Sequence, residues 1–209
     1  TSNNEIIYIE NGIINIPKKL NDIFDDLISD DYYLFGVPKT NSFIMSLLYI
    51  ISSDFKYKKE NKESFVALLI ENLIKNLPEY FKKNNYSSMD FSRTKMMEQL
   101  KTNEIDKSIL YYISNYYNIN LIVLNYNKMA YITGKDYNED NKNVIMINNY
   151  GDYIPLIHMY GEYPTNIIYK SIINKLEIQN KLTNNEILAP ITTTTPVPVQ
   201  TTTPSICNT

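Results

Sequence analysis

Imidazole and thiol groups are scarce in this sequence, and that scarcity bounds its chemistry. A hydroxyl or thiol attacks a carbonyl at neutral pH only when a base, most often an imidazole, takes its proton. The chain has one histidine, His158, and one cysteine, Cys207. His158 sits inside the apolar run from Tyr153 to Met159, the setting of a structural histidine. Cys207 lies in a Thr/Pro-rich stretch, a poor place for a preorganised thiolate. Zinc sites draw on several His and Cys, and one of each does not build a cage. The carboxylates at Asp25-Asp26, Asp30-Asp31 and residues 136–140 offer the oxygen ligands that Ca or Mg takes, but they also read as solvated loops. Gly12, Gly36, Gly134, Gly151 and Gly161 are isolated, so there is no glycine-rich phosphate loop. No metal and no cofactor is expected, and catalysis by a Ser, Cys or metal centre is not expected either.

The elements that would position any site can be read from composition and periodicity. A chain of 209 residues with 44% hydrophobic and 21% charged residues has ordinary globular composition. The net charge of -3 is spread along the chain, so nothing points to a nucleic-acid backbone. The longest apolar run, from Phe43 to Ile51, is interrupted by Ser46 and is too short to cross a bilayer, so no membrane insertion is expected. No basic-then-apolar leader precedes it, although the chain begins at Thr1, and a single cysteine suits a reducing, cytoplasmic setting. The skew toward Ile, Asn, Lys and Tyr, with 19 Tyr and no Trp, is that of an AT-rich coding sequence.

Residues 1–30 predict a hairpin, Ile6 to Ile9 and Ile13 to Ile16 around Asn11-Gly12, followed by a short amphipathic helix from Lys19 to Ser29. Residues 31–188 form the main domain. After Gly36-Val37-Pro38, a helix capped by Thr40 or Asn41 carries Phe43, Ile44, Leu47, Leu48, Ile50 and Ile51 around most of its circumference, as a buried central helix does. A second helix, Lys62 to Asn76, shows Phe65, Leu68, Leu69 and Leu73 on one face and stops before Pro78. Further helices are predicted from Ser92 to Leu100 and from Asp106 to Tyr117. Then come four strand-like runs, Ile119 to Leu124, Met129 to Thr133, Val144 to Asn148 and Tyr153 to Met159. A last helix begins near Pro164 and buries Ile167, Ile168, Ile172, Leu176 and Ile178. Helices first and strands later predict an α+β domain with a mixed or antiparallel sheet covered by helices. From Ala189 to Thr209 the composition is that of a disordered tail or linker.

The order of these elements resembles the ovarian-tumour (OTU) family of papain-like cysteine peptidases. Tyr33-Leu-Phe-Gly-Val-Pro-Lys-Thr-Asn-Ser-Phe-Ile-Met-Ser-Leu is similar to the family's strand, Asp-Gly-Asn-Cys turn and buried helix. Asn41 keeps the Asn, and Ser42 stands where the nucleophilic Cys would be. The segments starting at Glu63 and Ile109 are similar to the helices that follow. Val144-Ile-Met-Ile-Asn-Asn-Tyr-Gly-Asp-Tyr-Ile-Pro-Leu-Ile is similar to the closing strands around the family's His-Tyr pair. There Tyr153 matches the Tyr, and Asp152 stands in place of the His.

The resemblance implies a papain-like fold whose catalytic pair is lost. Ser42 lacks the acidic thiol and Asp152 is too weak a base to deprotonate a hydroxyl. Without the resemblance, Ser42 reads as a helix cap and Asp152 as a turn residue after Gly151. The expected function is an inactive module for structure or protein interaction, with Asn41, Ser42, Asp152 and Tyr153 as its binding positions. Domains of this kind are similar to those of large DNA viruses, so the expected partners are viral structural proteins or ubiquitin, and the expected location is the host cytoplasm or the virion. A ubiquitin-binding pseudo-deubiquitinase is the alternative; an active deubiquitinase would need a base that the sequence does not offer. The paired tyrosines Tyr32-Tyr33, Tyr111-Tyr112 and Tyr116-Tyr117, with Tyr160 and Tyr163, would supply amphipathic contact area.

Overall fold

The computed structural model describes residues 4–24 and 30–188, with side chains to residue 179. Asp25, Asp26, Cys207 and the Thr/Pro-rich tail lie outside the described residues. Six strands form one mixed sheet: β1 (Ile13–Ile14), β2 (Tyr32–Phe35), β3 (Ile119–Asn125), β4 (Ala130–Thr133), β5 (Lys142–Asn149) and β6 (Asp152–His158), in the order β1-β2-β6-β5-β3-β4. All neighbours are antiparallel except β3 and β5, which run parallel. The helices are α1 (Lys18–Phe24), α2 (Ser42–Ile51), α3 (Ser53–Tyr57), α4 (Lys62–Lys83), α5 (Arg93–Thr102), α6 (Lys107–Tyr117) and α7 (Asn166–Leu188), so the chain is α+β as the sequence predicts.

The central strands are apolar without alternation because helices cover both faces of the sheet. Leu121, Val123, Val144, Met146, Tyr153 and Ile157 point to the side of α2, α4, α5 and α6. Their neighbours Ile122, Leu124, Ile145, Ile147, Ile154 and Leu156 point to the side of α1 and α7. Two buried asparagines pin the loops at one end of this sandwich. Asn120 donates to the Asn138 carbonyl at 2.7 Å and to Asn143 Oδ1 at 2.8 Å, and Asn143 donates to the Pro164 carbonyl at 2.8 Å.

Several expectations are corrected. Ile6 to Ile9 does not pair with Ile13 to Ile16; Asn11-Gly12 turns the chain so that β1 joins β2 instead. Asn11 sits at φ 56, and Gly36 accepts the crossing segment, since a Cβ there would lie 1.9 Å from the Ile9 carbonyl oxygen. Helix α4 runs through Pro78 to Lys83. Proline withholds the amide that would bond to the Ile74 carbonyl. Burial of Leu73 and Leu77 holds the turn together, and the Tyr112 hydroxyl donates to the adjacent Leu73 carbonyl at 2.7 Å.

The buried face of α4 is Val66, Leu73 and Leu77, whereas Phe65 and Leu68 are exposed. On α7, Tyr169, Ile172 and Leu176 are buried, and Ile167 and Ile178 face out. The paired tyrosines are mostly core. Tyr112 is fully buried, Tyr32 is buried, and Tyr33, Tyr111, Tyr116, Tyr117 and Tyr163 pack against the helical core; of the set, Tyr160 alone is a large exposed ring. Tyr80 meets Tyr112, Tyr112 meets Tyr116 and Tyr86 meets Tyr111 edge to face, while Tyr80 and Tyr116 are tilted, so these rings fill the space beside α6. Burial pushes the Tyr86 phenol up to about 12 and Tyr112 higher, so both remain neutral packing groups.

Candidate functional site

The turn from Gly36 to Asn41 delivers α2 against the start of β6. Asn41 occupies the left-handed region at φ 55, which asparagine tolerates better than branched residues. It stands at the cap position of α2 without capping it. Its Oδ1 instead accepts from the Asn103 side chain in the α5–α6 turn. Ser42 is therefore the first residue of the helix, and it is not the cap either.

Ser42 and Ser46 lie one turn apart on α2, both buried, and face the backbone of the same residue of β6. The Tyr153 N–H donates to Ser42 Oγ at 2.9 Å. The Ser46 hydroxyl donates to the Tyr153 carbonyl at 3.0 Å. Pairing of β2 with β6 ends at Leu34 opposite Leu156, so no residue of β2 reaches Tyr153. The two serines thus do for this stretch of β6 what a further residue of β2 would have done, satisfying backbone groups that are costly to bury alone. The Tyr153 ring meets Phe43 edge to face at 5.2 Å, and burial pushes its phenol up to about 12.

Asp152 begins β6 just outside this clamp. Its carboxylate is 3.2 Å from Lys39 Nζ, with the two side chains 30% and 56% exposed. The ammonium also lies 4.8 Å from the centre of the Tyr8 ring. Tyr8 donates its hydroxyl to the Val37 carbonyl. Burial, and then the charges of Asp152 and Glu10, hold the Tyr8 phenol above its ordinary range. Residues 150–151 precede Asp152 in a tight turn with φ 53 at Tyr150 and φ 90 at Gly151, and Tyr150 is 84% exposed. Positive φ at two successive residues is the hairpin geometry that Asn-Gly usually supplies, so a tyrosine there is strained.

The structure brings together Asn41, Ser42, Asp152 and Tyr153, the four positions singled out in the sequence, at the N-terminal end of α2. It adds Ser46, Lys39, Tyr8 and Asn103. Only the Ser42/Ser46 spacing could have been noticed beforehand, as two hydroxyls one turn apart on an otherwise apolar helix. His158 is at the opposite end of β6, six residues or about 20 Å from Asp152. Its Nδ1 accepts from the Tyr160 and Glu162 amides at 3.2 and 3.3 Å, and its ring meets Tyr32 edge-on at 4.7 Å. The histidine is a structural clasp for the residues after β6, and it does not reach Ser42.

Chemically, the arrangement at α2 neutralises a carboxylate and orders a strand. Ser42 Oγ is occupied as an acceptor and is only 4% exposed. Among the described residues no group of three or more His, Cys, Asp or Glu is placed to hold a metal. Asp140 and Glu139 lie in a turn organised by Asn138, and Glu139 pairs with Lys170 at 3.1 Å. No helix among the described residues is long and apolar enough to cross a membrane. No protein-family model matches this sequence, and no curated protein matches it significantly.

Proposed function

We propose that this chain is a catalytically inactive, OTU-like module that serves in structure or protein interaction, as a virion or assembly component of a large DNA virus would. The observation that carries the reading is the use of Ser42. At the helix start where a nucleophile would need an open approach and a base, its oxygen accepts the Tyr153 amide and is buried. The order of strand, turn, buried helix and closing hairpin supports the family likeness. Asp152, paired with Lys39, offers a neutralised carboxylate at the position of the expected imidazole.

The interaction half of the reading rests on the β5–β6 turn. Tyr150 is held in a strained backbone conformation with its ring in solvent, two residues before Asp152. Strain of this sort persists where the surroundings impose it and is concentrated at functional positions. The test is to incubate the full chain with ubiquitin chains of several linkages, and to recover its bound proteins from the native source with the wild type and with Tyr150→Ser. The expected result is no cleavage, together with a specific partner that Tyr150→Ser loses. Recovery of capsid proteins would favour assembly, and recovery of ubiquitin would favour a reader of chains. Cleavage by the wild type would overturn the reading.

A further inference from the structure

Beyond the C-terminal end of α2 the sequence Lys56-Tyr-Lys-Lys-Glu-Asn-Lys62 turns from α3 into α4. This segment borders an open cleft of about 590 Å³ to which Lys56, Lys58, Lys59 and Lys62 all contribute, with Phe35, Pro38 and Tyr49 as its apolar wall. The volume is that of a small-molecule site. Four cations converge here in a chain whose net charge is -3. Carboxylates pair with Lys39, Lys95, Lys101 and Lys170 elsewhere, whereas among the described residues none lies in an ion pair with these four lysines.

The lysines closest to the wall are held in place. Lys62 Nζ donates to the Tyr49 hydroxyl at 2.7 Å and to the Lys56 carbonyl at 3.3 Å, and it lies 4.4 Å from the centre of the Tyr49 ring. Because the Tyr49 oxygen accepts from Lys62, its own proton is free to be donated to a ligand. Lys56 Nζ lies 5.6 Å from the Tyr33 ring and 5.5 Å from the Tyr57 ring, and Tyr57 is 71% exposed at the rim. Helix α4 starts at Lys62, and Asn61 gives it no side-chain cap, so amides of its first turn keep their capacity to bond. Glu63 is the one carboxylate on the lining. Unpaired like charges in one concavity repel one another, a cost that an anionic occupant removes. Lysines, as compact point charges without the planar fork of arginine, suit the oxygens of phosphate groups that sit close together.

We propose that this cleft binds a small anion bearing several clustered phosphates. The experiment is calorimetric titration of the full chain with sodium tripolyphosphate, alongside sedimentation with phosphatidylcholine vesicles that contain phosphatidylinositol bisphosphate. Both use the wild type, Lys58→Gln/Lys59→Gln, and Lys95→Gln/Lys101→Gln as a control of equal charge change on another surface. Lys58 and Lys59 are exposed, so the first variant keeps the fold. Saturable binding that weakens with added salt is expected. Loss of two charge-assisted contacts in Lys58→Gln/Lys59→Gln should reduce affinity roughly tenfold or more, with the control unchanged. Tripolyphosphate binding without vesicle binding assigns a free phosphate ligand; vesicle binding lost in the same variant assigns a lipid headgroup. Absence of binding to both probes, or equal loss in the control, overturns the proposal.

Discussion

At the N-terminal end of α2, Lys39 is engaged by Asp152 and by the Tyr8 ring, and the backbone of Tyr153 is matched on both sides by Ser42 and Ser46. Past its C-terminal end, four lysines surround an open cleft and pair with no carboxylate among the described residues. The first region is polar but complete within the chain, and its groups contribute to folding. In the second, hydrogen bonds and aromatic rings position Lys62 and Lys56, but no carboxylate balances the charge. The resemblance to a peptidase directs attention to the first region, whereas the electrostatics direct it to the second.

If the first region is a structural clamp, breaking it should cost stability out of proportion to the atoms removed. Ser42→Ala leaves the Tyr153 N–H without its partner, and Ser46→Ala leaves the Tyr153 carbonyl; each should destabilise by about 1 to 3 kcal/mol. The double variant, followed by urea denaturation, should lose about 2 to 5 kcal/mol, the largest effect expected here, with a measurable coupling because both bonds hold the backbone of one residue. A loss under the error of the measurement would mean that water replaces the serines and that Ser42 is free for another role.

A smaller effect is expected from the turn that supports this clamp. Asn103 reaches Asn41 from the α5–α6 turn, and Asp106, three residues on, caps α6 by accepting from the Ser108 and Ile109 amides at 2.9 and 3.2 Å. Burial acts to raise the Asp106 carboxyl, but the hydrogen bonds from Ser108, Gln99 and Ile109 outweigh it and hold it below its ordinary range. The folded state therefore favours the charged form more than the unfolded chain does. The contribution is complete above about pH 5 and fades as pH falls through the lowered folded value. Asp106→Ala should cost about 1 kcal/mol at neutral pH, and the gap to wild type should close in acid. A gap independent of pH would assign the loss to packing.

Much of the scaffold is legible in the sequence, for identifiable reasons. The runs at residues 119–124, 144–148 and 153–159 are short, apolar and bounded by Asn and Gly, and such runs become strands whichever faces they bury. The helix limits at Asp106 and Ser92 are legible because both side chains do cap, accepting from Ser108 and Lys95 amides respectively. What fails is everything decided by a distant partner. Pro78 stays inside α4, where Leu73 and Leu77 on the same stretch are buried against the helical core. Phe65 and Leu68 read as core although α4 turns Val66 inward, and Asn11-Gly12 reads as a hairpin although Gly36 receives the chain. The tyrosine pairs read as contact surface because exposure is not encoded in residue type. At the site, four positions came together because one motif and one hairpin carry them. Lys39 and Tyr8 are invisible in the sequence because charge pairing across 113 residues, from Lys39 to Asp152, leaves no local pattern.

The smallest effects separate the two regions most directly, through their sign. Lys39→Gln removes a cation from a partly exposed pair, so it should destabilise by less than about 1 kcal/mol, and less still at high salt. Lys58→Gln/Lys59→Gln removes two cations from a group with no carboxylate partner. Repulsion is relieved, no carboxylate is left unpaired and only the exposed contact of Lys58 with the Phe65 ring, at 5.4 Å, is lost, so stability should stay within about 0.5 kcal/mol of wild type or rise slightly at low salt. Thermal melts of both variants at low and high salt would read these signs. If Lys58→Gln/Lys59→Gln destabilises as Lys39→Gln does, the cations past α2 are already used within the fold, and the contrast between a closed region and an open one fails.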